Sequence, residues 1–345
     1  MALARAEDDA VLSVLEDRRY DINQAIDEDL PIGEPRRLYE ASRYLLDAGG
    51  KRLRPTITLL VAEALTNTEP GEEGYRGFPT MDGERIDIMK AAVSIEVIQS
   101  FTLIHDDIMD DDALRRGVPS VHEYFDLETA ILAGDTLYSK AFEIMLGTGA
   151  TPDRSMRAIR LLAETCTLIC EGQALDIAFE NAEDVTVESY DTMIERKTAV
   201  LFEAAAAVPA ILLGADEQTV DALAAYGRTV GEAFQIHDDV LDLVTPSEIL
   251  GKQQGSDLVE GKRTLITLHA QQHGIDISSI NLHRGDADAI EQAVAELEAA
   301  GSIDFARDRA QSLVDEGLEN LAAVPDGRSR ALLTGLAYYL IEREY

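Results

Sequence analysis

Two short stretches hold the residues best suited to chemistry: Ile-His-Asp-Asp-Ile-Met-Asp at 104–110 and Ile-His-Asp-Asp-Val-Leu-Asp at 236–242. Each is a copy of one seven-residue pattern, with aspartates at i, i+1 and i+4 among apolar residues. On a helix, positions i and i+4 share a face, about 40° apart at about 100° per residue. Asp106 with Asp110, and Asp238 with Asp242, therefore form two carboxylate pairs of like geometry, and Asp107 and Asp239 complete the triplets. Carboxylates gathered in a cleft repel one another and resist desolvation. A hard divalent cation such as magnesium takes oxygen ligands and keeps positions for water and phosphate oxygens, so it relieves both costs. One D-D-x-x-D string arises by chance roughly 0.3 times in a chain this rich in Asp, so a single copy would carry little. Two copies with matching apolar flanks and a matching histidine carry far more.

Cations accompany the carboxylates. Gly49-Gly50-Lys51-Arg52-Leu53-Arg54-Pro55 reads as a glycine turn before a helix that Pro55 opens, a good place for an anion. Arg115-Arg116-Gly117 follows the first aspartate helix closely, and forked arginine donors there could grip two phosphate groups. Lys197-Thr198 falls inside a predicted helix. Gly251-Lys252 and Glu260-Gly261-Lys262 punctuate a segment after the second aspartate helix that could close over a phosphate as a lid. Only six lysines occur in the chain, and Lys51, Lys197, Lys252 and Lys262 all lie in these clusters. A helical wheel aligns Gln99, Thr102, Asp106 and Asp110 on one stripe, suited to a diphosphate at a cleft mouth with hydrocarbon below.

Helices must position these groups. Helical periodicity predicts elements near 5–29, 36–48, 53–66, 85–110, 121–147, 153–180, 187–213, 217–244, 262–273, 287–299, 303–322 and 327–343. No run alternates convincingly like a strand. Residues 69–83 read as a structureless surface excursion, and the whole chain, 1–345, as one all-α domain. The formal charge of −35, from 65 acidic and 30 basic residues, excludes a general nucleic-acid binder. With 46% hydrophobic residues in periodic runs, disorder is excluded too. Life in concentrated salt explains such a surface, because the Debye length falls to about 3 Å at 1 M and self-repulsion is screened. No membrane span is expected: the most apolar run, 204–215, contains Pro209 and reads as a core helix. The first residues lack a signal-peptide pattern, so a cytoplasmic location is expected, with Cys166 and Cys170 as buried thiols. His105 and His237 read as supporting residues rather than metal ligands.

With these motifs in place, the chain resembles the trans-isoprenyl diphosphate synthases, the all-α family that includes farnesyl and geranylgeranyl diphosphate synthases, and looks like an archaeal halophile member. The likeness spans roughly 36–270, through Gly-Gly-Lys-x-x-Arg-Pro at 49–55, Asp-Asp-x-x-Asp-x-x-x-x-Arg-Arg-Gly-x-Pro at 106–119, Lys197-Thr198, Phe234-Gln235-Ile-x-Asp-Asp-x-Leu-Asp at 234–242, Gly251-Lys252 and Glu260-Gly261-Lys262. The resemblance implies one large helical bundle of the isoprenoid synthase type with a central hydrophobic cavity. It implies a short-chain prenyltransferase making geranylgeranyl diphosphate, with farnesyl diphosphate as a second product, for isoprenoid and ether-lipid synthesis. It also implies three magnesium ions with substrate bound, and a homodimer.

By the same resemblance, isopentenyl diphosphate would be held by Lys51, Arg54, Gln99 and Arg116. The allylic diphosphate would lie on Arg115, Lys197, Thr198, Gln235, Lys252 and Lys262, with magnesium on Asp106, Asp107, Asp110, Asp238, Asp239 and Asp242. Catalysis itself would rest on Asp106, Asp110, Lys197, Thr198, Gln235 and Asp238. Position 99 is often His in the family; Gln99 keeps a hydrogen bond and gives up a charge. Phe101, about 7.5 Å along the axis before Asp106, and the small Thr102 would set product length. Two other readings remain at this point. A class I terpene cyclase shares the helical fold but has no use for the cluster at 49–55, and a non-catalytic regulatory subunit would have no need of intact aspartate triplets.

Overall fold

The structure is a computed structural model that describes residues 2–72, 74–179, 182, 184–247, 254–275 and 287–343. Its helices are α1 Ala2–Asp29, α2 Arg36–Asp47, α3 Leu53–Thr66, α4 Ile88–Met109, α5 Val121–Tyr124, α6 Leu127–Leu146, α7 Pro152–Phe179, α8 Val187–Ile194, α9 Val200–Leu213 and α10 Glu217–Val244. They continue with α11 Ser256–Glu260, α12 Leu265–Gln272, α13 Ala287–Ala299, α14 Ser302–Glu319 and α15 Arg328–Glu342. The all-α expectation holds. The only strands among the described residues are two-residue pairs, β1 Phe78–Pro79 with β2 Arg85–Ile86, and β3 Leu114–Arg115 with β4 Val118–Pro119. The chain divides into two compact units. The first comprises Met1–Cys166, Leu201–Gly227 and Asn320–Leu336; the second comprises Thr167–Val200, Arg228–Glu319 and Ala337–Tyr345.

In the first unit, α3 is apolar all round, as a helix surrounded by others must be. Ile57, Leu59, Leu60, Val61 and Ala62 are buried, as are Ala204 to Ala206, Val208, Leu212 and Leu213 on α9. Pro209 lies inside α9, and proline has no N–H to give the carbonyl four residues back. That orphaned carbonyl belongs to Ala205, and the buried Thr58 hydroxyl of α3 donates to it at 2.9 Å. Along the α4–α6 contact, Ala130, Ala133, Gly134 and Ala141 are buried and small, which lets the two backbones come close. Ser94 spans the gap, donating to the Ala141 carbonyl at 2.8 Å. By length and composition α4 could cross a membrane, but 72% of its apolar stretch is buried inside the protein, which makes it a core helix.

The segment expected to be a surface excursion is instead pinned to the first unit. Tyr75 and Phe78 are buried, with rings stacked 5.9 Å apart. The Tyr75 hydroxyl donates to buried Glu63 of α3, which also accepts from Arg18 at 2.8 Å and from Ser329 at 2.9 Å. Met81 adds a backbone bond to the Leu213 carbonyl at 3.0 Å. Glycines at 71, 74, 77 and 83 made the segment look loose; two aromatic side chains and a buried carboxylate decide otherwise.

Three predicted helices are interrupted. The one over 85–110 starts only at Ile88, after Asp87 caps it by accepting from the Lys90 N–H. The one over 121–147 breaks where Asp126 caps α6 through the Thr129 N–H. The one over 187–213 contains a π turn at Glu195–Ala199, considered below. Cys166 is buried, whereas Cys170 is exposed, contrary to the expectation for the pair. The core stripe of α7 runs through Leu162, Cys166, Ile169 and Gln173, and Cys170 falls beside it.

Replacing Thr58 by Val keeps the shape and strands the Ala205 carbonyl, so Thr58→Val should destabilise the protein by about 1–3 kcal/mol. Urea unfolding in concentrated salt measures this; an unchanged midpoint would show that the hydroxyl does not serve Pro209.

Candidate active site

In the first unit, the end of α4 presents the first acidic motif. Gln99, Thr102, Asp106 and Asp110 are all half-buried, while Ile98, Phe101, Ile104 and Asp107 between them are buried. The polar stripe read from the sequence therefore exists as one face. Thr102 returns its hydroxyl to the Gln99 carbonyl at 2.8 Å. Asp107 turns inward to Arg115, whose Nε donates to it at 2.5 Å and whose other arm reaches Asp112 at 3.0 Å. Burial pushes the Asp107 carboxyl up to about 6, against the pull of the Arg115 charge. Phe101 packs edge-on against His105 and against Tyr138 of α6, with ring centres 5.0 and 5.3 Å away.

Arg115 and Arg116 lie on the two-residue hairpin joining β3 to β4. Its central residues, Arg116 and Gly117, have φ of 55° and 76°, as the primed turns of tight hairpins require. Holding an arginine in the left-handed region costs roughly 1–2 kcal/mol. Arg52 and Asp111 share that conformation, so local strain gathers around this motif. Arg116 donates to the Leu45 carbonyl at 2.9 Å and to the Gly49 carbonyl. A Cβ on Gly50, whose φ is 142°, would lie 2.9 Å from that guanidinium, which explains the glycine. The cluster at 49–55 is therefore not three equivalent cations. Arg52 is a fold residue: it pairs with Glu96 at 2.6 Å, with the two side chains 1% and 4% exposed, and donates to the Leu46 carbonyl at 2.6 Å. Lys51 is exposed, and Arg54 lies over the Phe202 ring at 4.2 Å.

In the second unit, α10 carries the second motif. Asp239 is buried and accepts from the Tyr190 hydroxyl at 2.7 Å and from the Gln235 amide at 2.9 Å. Gln235 in turn accepts from Thr198 at 2.8 Å, which sets the amide's direction. Burial, and then the charge of Asp257, raise the Asp239 carboxyl well above the usual carboxylate range. Asp242 accepts from Ser256 at 2.7 Å and from the Asp257 N–H at 3.1 Å. Lys262 lies 3.2 Å from Glu260 and 3.6 Å from Asp257, which brings it beside that group. Lys197 reaches Asp176 of α7 at 2.5 Å. Lys252, with Gly251, lies outside the described residues.

The two histidines of the repeat do the same work. His105 meets the Ile131 carbonyl at 3.2 Å, and His237 meets the Arg343 carbonyl at 2.9 Å. Burial lowers the His237 pKa, so the neutral ring donates to that carbonyl. Each histidine thus ties its aspartate helix to a neighbouring backbone.

Comparison with known proteins identifies the family. Residues 35–297 match the polyprenyl synthetase family. The chain is 61% identical to a geranylfarnesyl diphosphate synthase of Natronomonas pharaonis, over 98% of this chain and 99% of that protein. It is 45% identical to a geranylgeranyl diphosphate synthase of Methanosarcina mazei, over 96% and 97% of the two chains. The chain belongs to the polyprenyl synthetase family. The solved geranylgeranyl pyrophosphate synthetase of Geoglobus acetivorans superposes with a TM-score of 0.86 at 43% identity, over 96% of this chain and all of that one. The fold is thus that of the prenyl synthases, and the enzyme is a prenyltransferase.

For a family member the donor set is informative. Among the described residues, no three His, Cys, Asp or Glu side chains form a ready-made metal cage. Magnesium needs none, since it takes one or two carboxylates and fills its shell with water and phosphate oxygens. Asp106, Asp110 and Asp238 could supply those carboxylates. The sequence reading missed the residues that hold the site from behind: Asp176 on Lys197, Tyr190 on Asp239, Ser256 on Asp242 and Arg343 on Asp238. It also missed Gln173, whose buried Nε2 has no hydrogen-bond partner. A signal existed for two of them, since Gln173 and Asp176 are three apart on a helix and follow Gly172.

Gly172 abuts the π turn that carries Lys197 and Thr198, and a Cβ there would fall within the Lys197 backbone. Gly172→Ala should therefore displace Lys197 and Thr198 and lower kcat at least about tenfold, with helical circular dichroism retained. Undiminished kcat would show that the close approach is dispensable.

Proposed function

We propose that this protein is a magnesium-dependent trans-prenyltransferase that joins isopentenyl diphosphate to allylic diphosphates and makes geranylgeranyl diphosphate. The observation that carries the reading is the repeated division of labour on the two aspartate helices. On each, the second aspartate is buried and bonded inward, Asp107 to Arg115 and Asp239 to Tyr190 and Gln235. On each, the first aspartate, Asp106 or Asp238, stays partly exposed. We therefore assign metal contact to Asp106, Asp110 and Asp238, and a supporting role to Asp107, Asp239 and Asp242.

Magnesium, when bound, neutralises the charge of a departing diphosphate, which is what an allylic C–O bond needs in order to break. Lys197 and Lys262 add positive charge on the same leaving group. The Thr198 hydroxyl and the Gln235 amide present fixed dipoles to the allylic cation. Lys51, Arg54, Gln99 and Arg116 hold isopentenyl diphosphate so that its double bond lies against that cation. Arg116 is well placed to do so because two backbone carbonyls already fix its guanidinium. The new bond forms, a proton leaves to the released diphosphate, and the product is one five-carbon unit longer. A second reading concerns length alone: the 61% identity to a geranylfarnesyl diphosphate synthase favours one further extension. The proposed enzyme works as a homodimer. Leu127, Ile131, Tyr138 and Leu146 of α6 are exposed apolar side chains that would meet the second copy.

Pure protein with magnesium, labelled isopentenyl diphosphate and each allylic primer in concentrated salt should yield extended prenyl diphosphates. Cyclic hydrocarbon would instead indicate a cyclase, and no turnover a regulatory subunit. Asp106→Asn or Asp238→Asn should lower kcat by about 10²–10³-fold. Phe101→Ala, which removes the ring packed on Tyr138, should lengthen the product; an unchanged product spectrum would refute its role as floor.

A further inference from the structure

Arg343, one residue past the end of α15, has an unexpected set of partners. Its guanidinium forms an ion pair with Oδ1 of Asp238, and this arginine side chain is only 7% exposed while Asp238 is 39% exposed. The guanidinium also lies over the Phe234 ring, 4.5 Å from its centre, one turn before Asp238 on α10. Its Nε donates to the Leu340 carbonyl at 3.1 Å, and its own carbonyl accepts from His237 at 2.9 Å. Three contacts therefore hold Arg343 against α10: those to Asp238 and His237 within the motif, and that to the Phe234 ring one turn before it.

The other two carboxylates of that motif are buried: Asp239 accepts from Tyr190 and Gln235, and Asp242 accepts from Ser256 and a backbone N–H. Asp238 is the one that reaches solvent, and it meets the Arg343 guanidinium. A guanidinium and a divalent ion on the same carboxylate repel each other and compete for its lone pairs. We propose that Arg343 is an internal competitor for the metal at Asp238, so that cation binding on α10 is coupled to release of the turn after α15. The guanidinium keeps Asp238 neutralised and oriented while no metal is present, and withdraws when one arrives. The proposal rests on the assignment of Asp238 as a metal-contacting residue.

The test uses the full chain without substrate. Mn2+ is titrated into wild type, Arg343→Gln, Asp238→Asn and Arg330→Gln, and the unbound ion is counted by its paramagnetic resonance signal. Arg330 pairs with Asp326 rather than with the second aspartate motif, so its loss controls for removal of one positive charge. Arg343→Gln should bind Mn2+ about tenfold more tightly than wild type, and Arg330→Gln should not. Equal or weaker binding by Arg343→Gln overturns the proposal. If Asp238→Asn binds as well as wild type, the ligand assignment itself fails; if only Asp238→Asn changes, the arginine proposal alone fails. Should Arg343→Gln lose its helical dichroism, hydrogen exchange on the wild type decides. Mn2+ should speed exchange over residues 338–343, and unchanged or slower exchange overturns the proposal.

Discussion

A carboxylate set beside another carboxylate must find a cation or a hydrogen-bond donor, and the two aspartate helices depend on meeting that demand six times. The protein meets it by splitting each triplet. The middle aspartates are turned inward, where Arg115 on one helix and Tyr190 with Gln235 on the other satisfy them. Arg115 and Tyr190 sit on other elements and Gln235 one turn earlier on the same helix, so each inward bond also fixes a neighbouring group: the β3–β4 hairpin in one unit, and the Thr198–Gln235 pair in the other. Electrostatic relief and positioning are thus one interaction.

The histidines that accompany the aspartates follow the same logic. Each tethers its helix to a backbone carbonyl, Ile131 in one case and Arg343 in the other. A repeated sequence pattern here reflects a repeated set of structural tasks: in each copy the first acid is half-buried, the second is buried and the histidine is a tether, while the third acid differs, half-buried at Asp110 and buried at Asp242. Local strain surrounds the first copy, where Arg52, Asp111 and Arg116 adopt positive φ. Such conformations persist only where surrounding contacts over-determine them. The Arg52–Glu96 pair and the carbonyls that hold Arg116 provide that restraint.

The acidic surface and the scarcity of lysine bear on the same point. In a chain of net charge −35, long-range repulsion is everywhere, and concentrated salt screens it. The buried Arg52–Glu96 pair is screened much less, so it keeps its grip under conditions that weaken exposed ion pairs.

Sequence periodicity by itself determined the helical class and most helix positions, because an apolar stripe with a 3.6-residue period has no other way to be buried. It also determined which residues could meet a diphosphate and a hard cation, because few residue types offer oxygen ligands or forked donors. What it could not supply were the partners that arrive from distant parts of the chain. Glycines at 71–83 read as a loose excursion until Tyr75 reached Glu63, and the π turn at 195–199 needed Gly172 against it. Nor does residue type separate Asp107 from Asp106, or Arg52 from Arg54. Burial and hydrogen bonding make Asp107 and Arg52 part of the frame and leave Asp106 and Arg54 half-buried, and only tertiary structure brings those partners within reach.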